Sequence, residues 1–282
     1  MSEIGIPAGV IDVEEHGSGE PIVFIHPFAT NSRHWRKVVP HLEMRFRCIL
    51  PTLPLGAHTL PVRPDADLSP PGLAAIVVDL LDALGLERAT LAGNDTGGAI
   101  AQIVAAQHPE RVKDLVLVSC DAYDVFPPRM FAYLKPAAYI PGAMRLLAQT
   151  MRIPGALRLP FTYGWVTKHP IDSDVLASYT APLRDPDILH DVVRDTVKVV
   201  KGLGPRHTMA AAERLRSFEG RVLVAWGAED RFFPRRLAGR LAREIPRAQL
   251  EFIEGARTFV PEDQPERLAE LIGLFVADQA RR

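Results

Sequence analysis

The feature that most limits how this chain can fold is the alternation of short apolar runs with helix-length amphipathic segments. Apolar runs bounded by turn residues are typical of strands that are buried on both faces of a parallel sheet. The strand-like segments are Val10–Glu15, Pro21–His26, Arg45–Leu50, Arg88–Ala92, Asp114–Ser119, Arg221–Trp226 and Gln249–Ile253. The helix-like segments are Ser69–Leu84, Gly97–Gln107, Arg235–Glu244 and Gln264–Val276. This alternation predicts an α/β protein with a mostly parallel central sheet flanked by helices.

The middle of the chain interrupts this alternation. Residues 122–207 contain many prolines, all five tyrosines and helical stretches such as Asp185–Gly202, but no clear run of a parallel strand. We therefore predict an inserted helical cap over 122–207, between two parts of one core, 1–121 and 208–282.

Composition excludes several classes of protein. The 282 residues are 47% hydrophobic and 24% charged with a net charge of −1, so no overall basic excess indicates nucleic acid or an anionic membrane as a partner. Two cysteines, Cys48 and Cys120, suffice for neither a disulfide framework nor a zinc site, and we expect no metal and no cofactor. No signal peptide and no membrane-length apolar stretch is recognisable, which predicts a cytoplasmic protein. The oligomeric state stays open, with a homodimer as one option.

The candidate chemistry concentrates in Gly93-Asn94-Asp95-Thr96-Gly97, which follows a strand and opens a helix. A sharp strand–turn–helix bend needs small residues on either side of its apex, because the backbone packs tightly there. The apex would be Asp95, projecting above the carboxyl ends of the strands near the N–H of Thr96. A plain loop with Asp95 capping the helix is the alternative, whereas the glycine spacing does not match a dinucleotide-binding fingerprint.

With these motifs in view, the chain resembles the α/β-hydrolase superfamily over nearly its whole length. Segments that resemble family motifs are His26–Trp35 (oxyanion loop), Pro51–Gly56, Gly93–Gly97 (nucleophile elbow), His108–Val112, Trp226–Asp230 (turn carrying the triad acid) and Gln264–Glu266. The resemblance implies about eight strands. It also makes Asp95 the nucleophile, as in haloalkane dehalogenases and epoxide hydrolases. Such a carboxylate forms an alkyl ester, which water hydrolyses with the help of a His held by an acid, here Asp230.

The most serious departure from the family pattern is the base. In Gly255-Ala256-Arg257-Thr258-Phe259, Thr258 stands where the family has its catalytic His. Threonine does not titrate near neutral pH and cannot act as the general base.

Two further departures concern the residues around Asp95. Thr96 stands where dehalogenases have a halide-binding Trp, and Phe28 stands where they often have an Asn. Both residues can still offer backbone N–H groups to an oxyanion. The net shift of the Asp95 pKa stays open at this stage, because burial raises it while the helix N-terminus and nearby N–H donors lower it.

Other residues could contribute to the site. His58, just after the Pro51–Gly56 loop, is the candidate for a compensating base, although a structural role is the alternative. His26 borders the oxyanion loop and is a candidate contact, again with structural hydrogen bonding as the alternative. Aromatic residues in the cap, including Trp165, suggest an apolar cavity for a small apolar or aromatic substrate.

Three functional hypotheses follow from these residues. The first is an enzyme that uses Asp95 on a hydrophobic small molecule with non-standard or non-hydrolytic chemistry. The second is a conventional epoxide, halide or ester hydrolase with a relocated base such as His58. The third is a non-catalytic ligand-binding protein on the same fold.

Overall fold

The computed structural model describes residues 2–277 and contains one eight-stranded sheet. The strands are β1 (Ser2–Ile6), β2 (Gly9–His16), β3 (Glu20–Ile25), β4 (Phe46–Thr52), β5 (Ala89–Asp95), β6 (Val112–Cys120), β7 (Arg221–Gly227) and β8 (Ala248–Ile253). Their order is β1-β2-β4-β3-β5-β6-β7-β8. The β1–β2 and β2–β4 pairs are antiparallel, and all the others are parallel.

This architecture confirms the predicted fold class. The seven strands predicted from apolar runs are all present, within a few residues of their expected bounds. The strand that the sequence did not predict is β1, whose exposed and half-buried edge position leaves no apolar run to recognise.

Helices cover both faces of the sheet. They are α1 (Pro70–Ala83), α2 (Thr96–Gln107), α3 (Leu134–Ala137), α4 (Ala143–Thr150), α5 (Ser173–Thr180), α6 (Leu189–Gly202), α7 (Pro205–Leu215), α8 (Arg235–Glu244), α9 (Val260–Asp263) and α10 (Pro265–Ala277). Two apolar clusters fill the space between sheet and helices. One contains Leu91, Leu115 and Val224, and the other contains Ala92, Val116 and Leu223. Consecutive residues of one strand therefore face opposite apolar layers, which explains why these strands read as continuous apolar runs.

The segment between β6 and β7, which contains the predicted cap, is helical. Helices α3 to α6 lie in it, and none of the eight strands of residues 2–277 does. Helix α7 packs against α2 of the core, so the predicted end of the cap at residue 207 falls in the first turn of α7. No helix among the described residues is long and apolar enough to cross a membrane.

Candidate active site

Asp95 occupies the apex of a strained turn between β5 and α2. Its backbone lies at φ 54° and ψ −125°, a conformation that costs energy for any residue other than glycine. The turn is possible because its neighbours are small. A Cβ added to Gly93 would lie 2.4 Å from the carbonyl oxygen of Gly97, and one added to Gly97 would lie 2.3 Å from that of Ile25. The turn therefore presents the Asp95 side chain at the carboxyl edge of the sheet.

One oxygen of the Asp95 carboxyl is held by its neighbour. Oδ1 accepts a hydrogen bond from the backbone N of Thr96 at 2.6 Å and from Thr96 Oγ1 at 3.0 Å. The backbone N–H of Phe28 also favours the charged form. Burial outweighs these donors and raises the Asp95 pKa to about 6, with the negative charge of Asp230 acting in the same direction. Asp95 is thus poised to exist in both protonation states near neutral pH.

A second buried carboxyl, Asp121, lies on the other side of Thr96. Thr96 Oγ1 is 3.4 Å from Asp121 Oδ2, so one hydroxyl lies between the Asp95 and Asp121 carboxyls. Asp121 is only 1% exposed, and its Oδ1 has no hydrogen-bond partner among residues 2–277. Burial, followed by the charge of Asp95, raises its pKa well above the ordinary value. The Thr96 hydroxyl is therefore a donor within reach of both carboxyls.

Sequence analysis did not select Asp121, although a signal for it existed. Asp121 directly follows β6, the strand parallel to and paired with β5. Residues at the carboxyl ends of paired parallel strands meet at the same edge of a sheet. This rule would have placed Asp121 beside Asp95.

Thr258, which the resemblance places at the position of the family's base, is held by a hydrogen bond to Asp230. Thr258 is fully buried, and its Oγ1 donates to Asp230 Oδ1 at 2.9 Å. Asp230 Oδ1 also accepts hydrogen bonds from the backbone N–H groups of Phe232 and Phe233, at 2.8 and 3.0 Å. Burial nevertheless raises the Asp230 pKa. Asp230 thus orients a threonine hydroxyl where the resemblance implied an imidazole.

A chain of buried side chains holds the Thr258 loop against the elbow. Asn94 Nδ2 donates to the carbonyl oxygens of Thr258, Val118 and Ser119 at 2.7–3.1 Å. Asn94 Oδ1 accepts from His34 Nε2 at 2.8 Å. Burial lowers the His34 pKa to about 3, so this histidine is neutral and serves as a fixed donor.

A cavity of about 190 Å³ opens above Asp95, between the cap and the core. Its lining is mainly apolar: Phe28, Ala29, Gly56, Asp95, Thr96, Pro127, Pro128, Phe131, Tyr133, Leu134, Met144, Leu147, Ala148, Thr150, Met151, Phe161, Thr162, Tyr163, Val166, Tyr179, Leu183, Val193, Thr196, Leu203 and Phe259. Asp95 contributes the one carboxyl of this lining, which contains no His, Lys or Arg from the described part of the chain. Nor do residues 2–277 include a group of three or more His, Cys, Asp or Glu side chains suited to a metal ion.

Comparison with known proteins agrees with this geometry. The pattern of the alpha/beta hydrolase family matches residues 22–271. The chain belongs to the alpha/beta hydrolase family.

Curated relatives cover most of this hydrolase-family chain. An uncharacterized protein of Mycobacterium tuberculosis is 30% identical over 270 residues, covering 92% of this chain and 76% of the relative. A 2-hydroxymuconate semialdehyde hydrolase of a Pseudomonas species is 28% identical, with 98% of this chain and 95% of the relative covered. Haloalkane dehalogenase 2 of Mycobacterium tuberculosis is 26% identical, with coverages of 94% and 90%.

Solved structures show the same fold. A haloalkane dehalogenase from Bradyrhizobium elkani superposes with a TM-score of 0.83 at 19% identity, covering 100% of this chain and 99% of that one. A meta-cleavage product hydrolase from Pseudomonas fluorescens has a TM-score of 0.73 at 19% identity, with coverages of 99% and 98%. The prediction of an enzyme with the α/β-hydrolase fold is thereby confirmed at this level.

Two histidines selected from the sequence do not reach the cavity of this family member. His58 Nε2 lies 3.4 Å from Asp195 Oδ2 in α6, and both side chains are buried. His26 accepts from the N–H of Leu53 through Nε2 at 2.9 Å and lies 2.9 Å from the Pro27 carbonyl through Nδ1. Burial lowers the His26 pKa to about 4. His58 therefore connects core and cap, and His26 holds the oxyanion loop to β4; neither is placed to act as a base on a substrate at Asp95.

Some aromatic residues of the cap line the cavity and others do not. Trp165 does not line the cavity; the guanidinium of Arg231 lies 5.2 Å from its ring, and the adjacent Val166 lines the cavity instead. Tyr163 lines the cavity but donates its hydroxyl to the Ala29 carbonyl. Tyr179 also lines the cavity, and its buried hydroxyl has no hydrogen-bond partner within residues 2–277.

Proposed function

We propose that this protein is a non-hydrolytic acid–base enzyme, in which Asp95 moves a proton on an apolar small molecule. The observation that carries the proposal is the cavity lining, in which Asp95 is the one carboxyl and no histidine is present. General acid–base catalysis is most efficient when the pKa of the catalytic group lies near the working pH. The Asp95 pKa of about 6 meets this condition.

Hydrolysis through an ester fits the site poorly. If Asp95 attacked a carbon, its ester would have to be opened by water, and water activation needs a base. The position of that base holds Thr258, whose hydroxyl is directed to Asp230 and which does not line the cavity. An ester at Asp95 would therefore persist and block turnover.

Proton transfer needs no such base. In an isomerisation, the Asp95 carboxylate takes a proton from a carbon next to an electron-withdrawing group, and the carboxylic acid returns it at another carbon. No water is consumed and no oxidant is required. The Thr96 hydroxyl lies 3.0 Å from Asp95 Oδ1 and 3.4 Å from Asp121 Oδ2, and it offers Asp95 a path for exchanging its proton away from the cavity.

The cavity also defines a substrate class. An apolar, partly aromatic molecule fits a lining with few polar atoms. Two relatives, a 2-hydroxymuconate semialdehyde hydrolase and a haloalkane dehalogenase, are named for small organic compounds. We infer a substrate of this kind, an unsaturated or carbonyl-bearing small molecule.

The experiment is deuterium uptake from D2O into a panel of apolar ketones, read by mass spectrometry with the wild type and Asp95→Asn. We expect uptake next to the carbonyl with the wild type and its loss in the variant. Asp185→Asn, at an exposed position in the cap, is the matched control.

In parallel, the protein is mixed in single-turnover amounts with epoxides, haloalkanes and p-nitrophenyl esters, and its intact mass is measured. Rapid hydrolysis of these compounds would contradict the proposal, and so would tight binding of the ketones without exchange.

A further inference from the structure

The charge of the cap is distributed very unevenly along the chain. Residues 125–171 contain six of the 33 basic residues and none of the 34 acidic ones. These residues are Arg129, Lys135, Arg145, Arg152, Arg158 and Lys168. Lys168 forms an ion pair with Glu229, whereas the other five are exposed and have no carboxylate partner within residues 2–277. The net charge of −1 for the whole chain conceals this basic segment.

Exposed apolar side chains are concentrated in the same segment. Of the 13 large hydrophobic residues that are exposed among the described residues, eight lie within 125–171. They are Met130, Tyr133, Tyr139, Ile140, Leu146, Ile153, Leu159 and Phe161. Leu146 is 67% exposed, and Tyr139, Ile140 and Ile153 are close to 60%. Exposed apolar residues grouped in this way are typical of an interaction surface.

The mouth of the cavity lies in this surface. Tyr133 and Phe161 are exposed and also line the cavity, so they mark its opening. On α4, the exposed Leu146 lies one turn before Thr150, another exposed residue of the cavity lining. Exposed residues of the segment 125–171 therefore lie at the opening of the cavity above Asp95.

We propose that the segment 125–171 docks onto the surface of an anionic lipid bilayer, with the mouth of the cavity facing the bilayer. Apolar side chains enter the interface between headgroups and acyl chains, while Lys and Arg side chains bind the anionic headgroups. An apolar molecule dissolved in the bilayer then meets the mouth of the cavity. The sequence-based expectation of no membrane partner used the net charge of the whole chain, which averages over this segment. The docking does not depend on the chemistry proposed for Asp95.

Charge and exposure together favour a bilayer over an acidic protein. Charge alone would suit either partner, but a lipid interface also accepts many separate apolar side chains without requiring a shaped complement. Electrostatic attraction of this kind is screened over about 8 Å at physiological ionic strength, so binding should weaken as salt is added.

The first experiment is co-sedimentation of the full chain with vesicles of phosphatidylcholine alone or with 30% phosphatidylglycerol. We expect at least tenfold stronger binding to the anionic vesicles and release by 0.5 M NaCl. The combined variant Arg129→Gln, Arg145→Gln, Arg152→Gln, Arg158→Gln should lose at least tenfold of this binding. The matched control changes four exposed arginines outside residues 125–171, Arg88, Arg206, Arg236 and Arg243, to Gln, and should stay within twofold of the wild type.

The apolar contribution is tested in the same assay. Leu146→Ser with Ile153→Ser should reduce binding, whereas Met44→Ser with Leu274→Ser, at comparably exposed positions outside the segment 125–171, should not.

Because Cys48 and Cys120 are both buried, a cysteine introduced by Phe161→Cys can be labelled with a polarity-sensitive dye. Its emission should shift to the blue on anionic vesicles, and that of a label at Met44→Cys should not. Equal binding to both kinds of vesicle, equal losses in the control variants or no binding would overturn the proposal; failure to bind vesicles alongside capture by an acidic protein would assign the surface to that partner.

Discussion

Two turns at the carboxyl edge of the sheet are both tightly packed, but they carry different side chains: Asp95 after β5 and Thr258 after β8. The elbow after β5 keeps both the strained backbone and a reactive group, Asp95. The loop after β8 keeps its tight packing, since a Cβ added to Gly227 would lie 2.2 Å from the carbonyl oxygen of Arg257. It also keeps the hydrogen bond to Asp230, but through the hydroxyl of Thr258. Tight backbone packing therefore accompanies a carboxyl at one turn and a hydroxyl at the other.

The largest effect expected is at the elbow. Asp95→Asn removes the one carboxyl of the cavity lining, so proton transfer should fall by at least ~10³-fold, given the ~10²–10⁴-fold that positioned acid–base groups provide. Deuterium uptake and circular dichroism of the same sample separate loss of chemistry from loss of fold. Activity close to that of the wild type in a folded variant would remove Asp95 from the mechanism.

The second prediction concerns Thr258, in the loop after β8, where a histidine would supply the base that the family uses. Thr258→His places an imidazole beside Asp230, which should add water activation worth ~10²-fold or more on esters or epoxides. The measurement is release of p-nitrophenol or diol, with Thr258→Asn as a polar control that cannot act as a base. If a folded Thr258→His variant is no more active than Thr258→Asn, an imidazole at position 258 does not activate water in this site.

The packing of the elbow predicts a large effect on stability. Gly97→Ala would place a Cβ 2.3 Å from the Ile25 carbonyl oxygen, and we expect a loss of roughly 3 kcal/mol in the free energy of unfolding. Gly155→Ala is the control, because an added Cβ there meets nothing within 4 Å. Urea titration measures both variants; equal midpoints would refute the tight packing of the turn.

The buried carboxyl makes stability depend on pH. The Asp95 pKa rises from 3.8 to about 6 on folding, so the folded state binds more protons between these values. This contribution is fully present below about pH 4 and is lost as the pH rises through 6. The stability of Asp95→Asn relative to the wild type should therefore increase by roughly 2 kcal/mol from pH 4 to pH 7. Taking the difference between variants cancels the opposite effect of the buried His26 and His34, whose pKa values are lowered. A pH-independent difference would contradict the raised pKa.

The smallest effect expected is that of Thr258→Val, which deletes one of the donors to Asp230 Oδ1. The backbone N–H groups of Phe232 and Phe233 remain, so we expect a cost of about 1 kcal/mol. Chemical denaturation at pH 7 measures it, with Thr258→Ser as the variant that keeps the hydroxyl. A loss equal to that of Gly97→Ala would mean that Thr258 is a main support of the loop.

Local patterns were sufficient to predict much of the fold and the centre of the site. The apolar runs of β3 to β7 predicted parallel strands, because strands buried on both faces must be apolar at every position. The glycines around Asp95 predicted the turn, because only small residues fit there. The assignment of Thr258 to the base position stays a prediction, which rests on flanking residues that match the family pattern without a gap.

The remaining features depend on contacts between residues that are distant in the sequence. Asp121 lies near the Asp95 carboxyl through Thr96, and His58 lies against Asp195 in the cap rather than in the cavity. The sign of the Asp95 pKa shift needed the balance between burial and its donors, which only the packed site sets. The sequence by itself determined which residues can bend, bury or titrate, because these are properties of single residues and short segments. Only the tertiary structure decided which of them meet, because distances between separate segments are set by the packing of the whole domain.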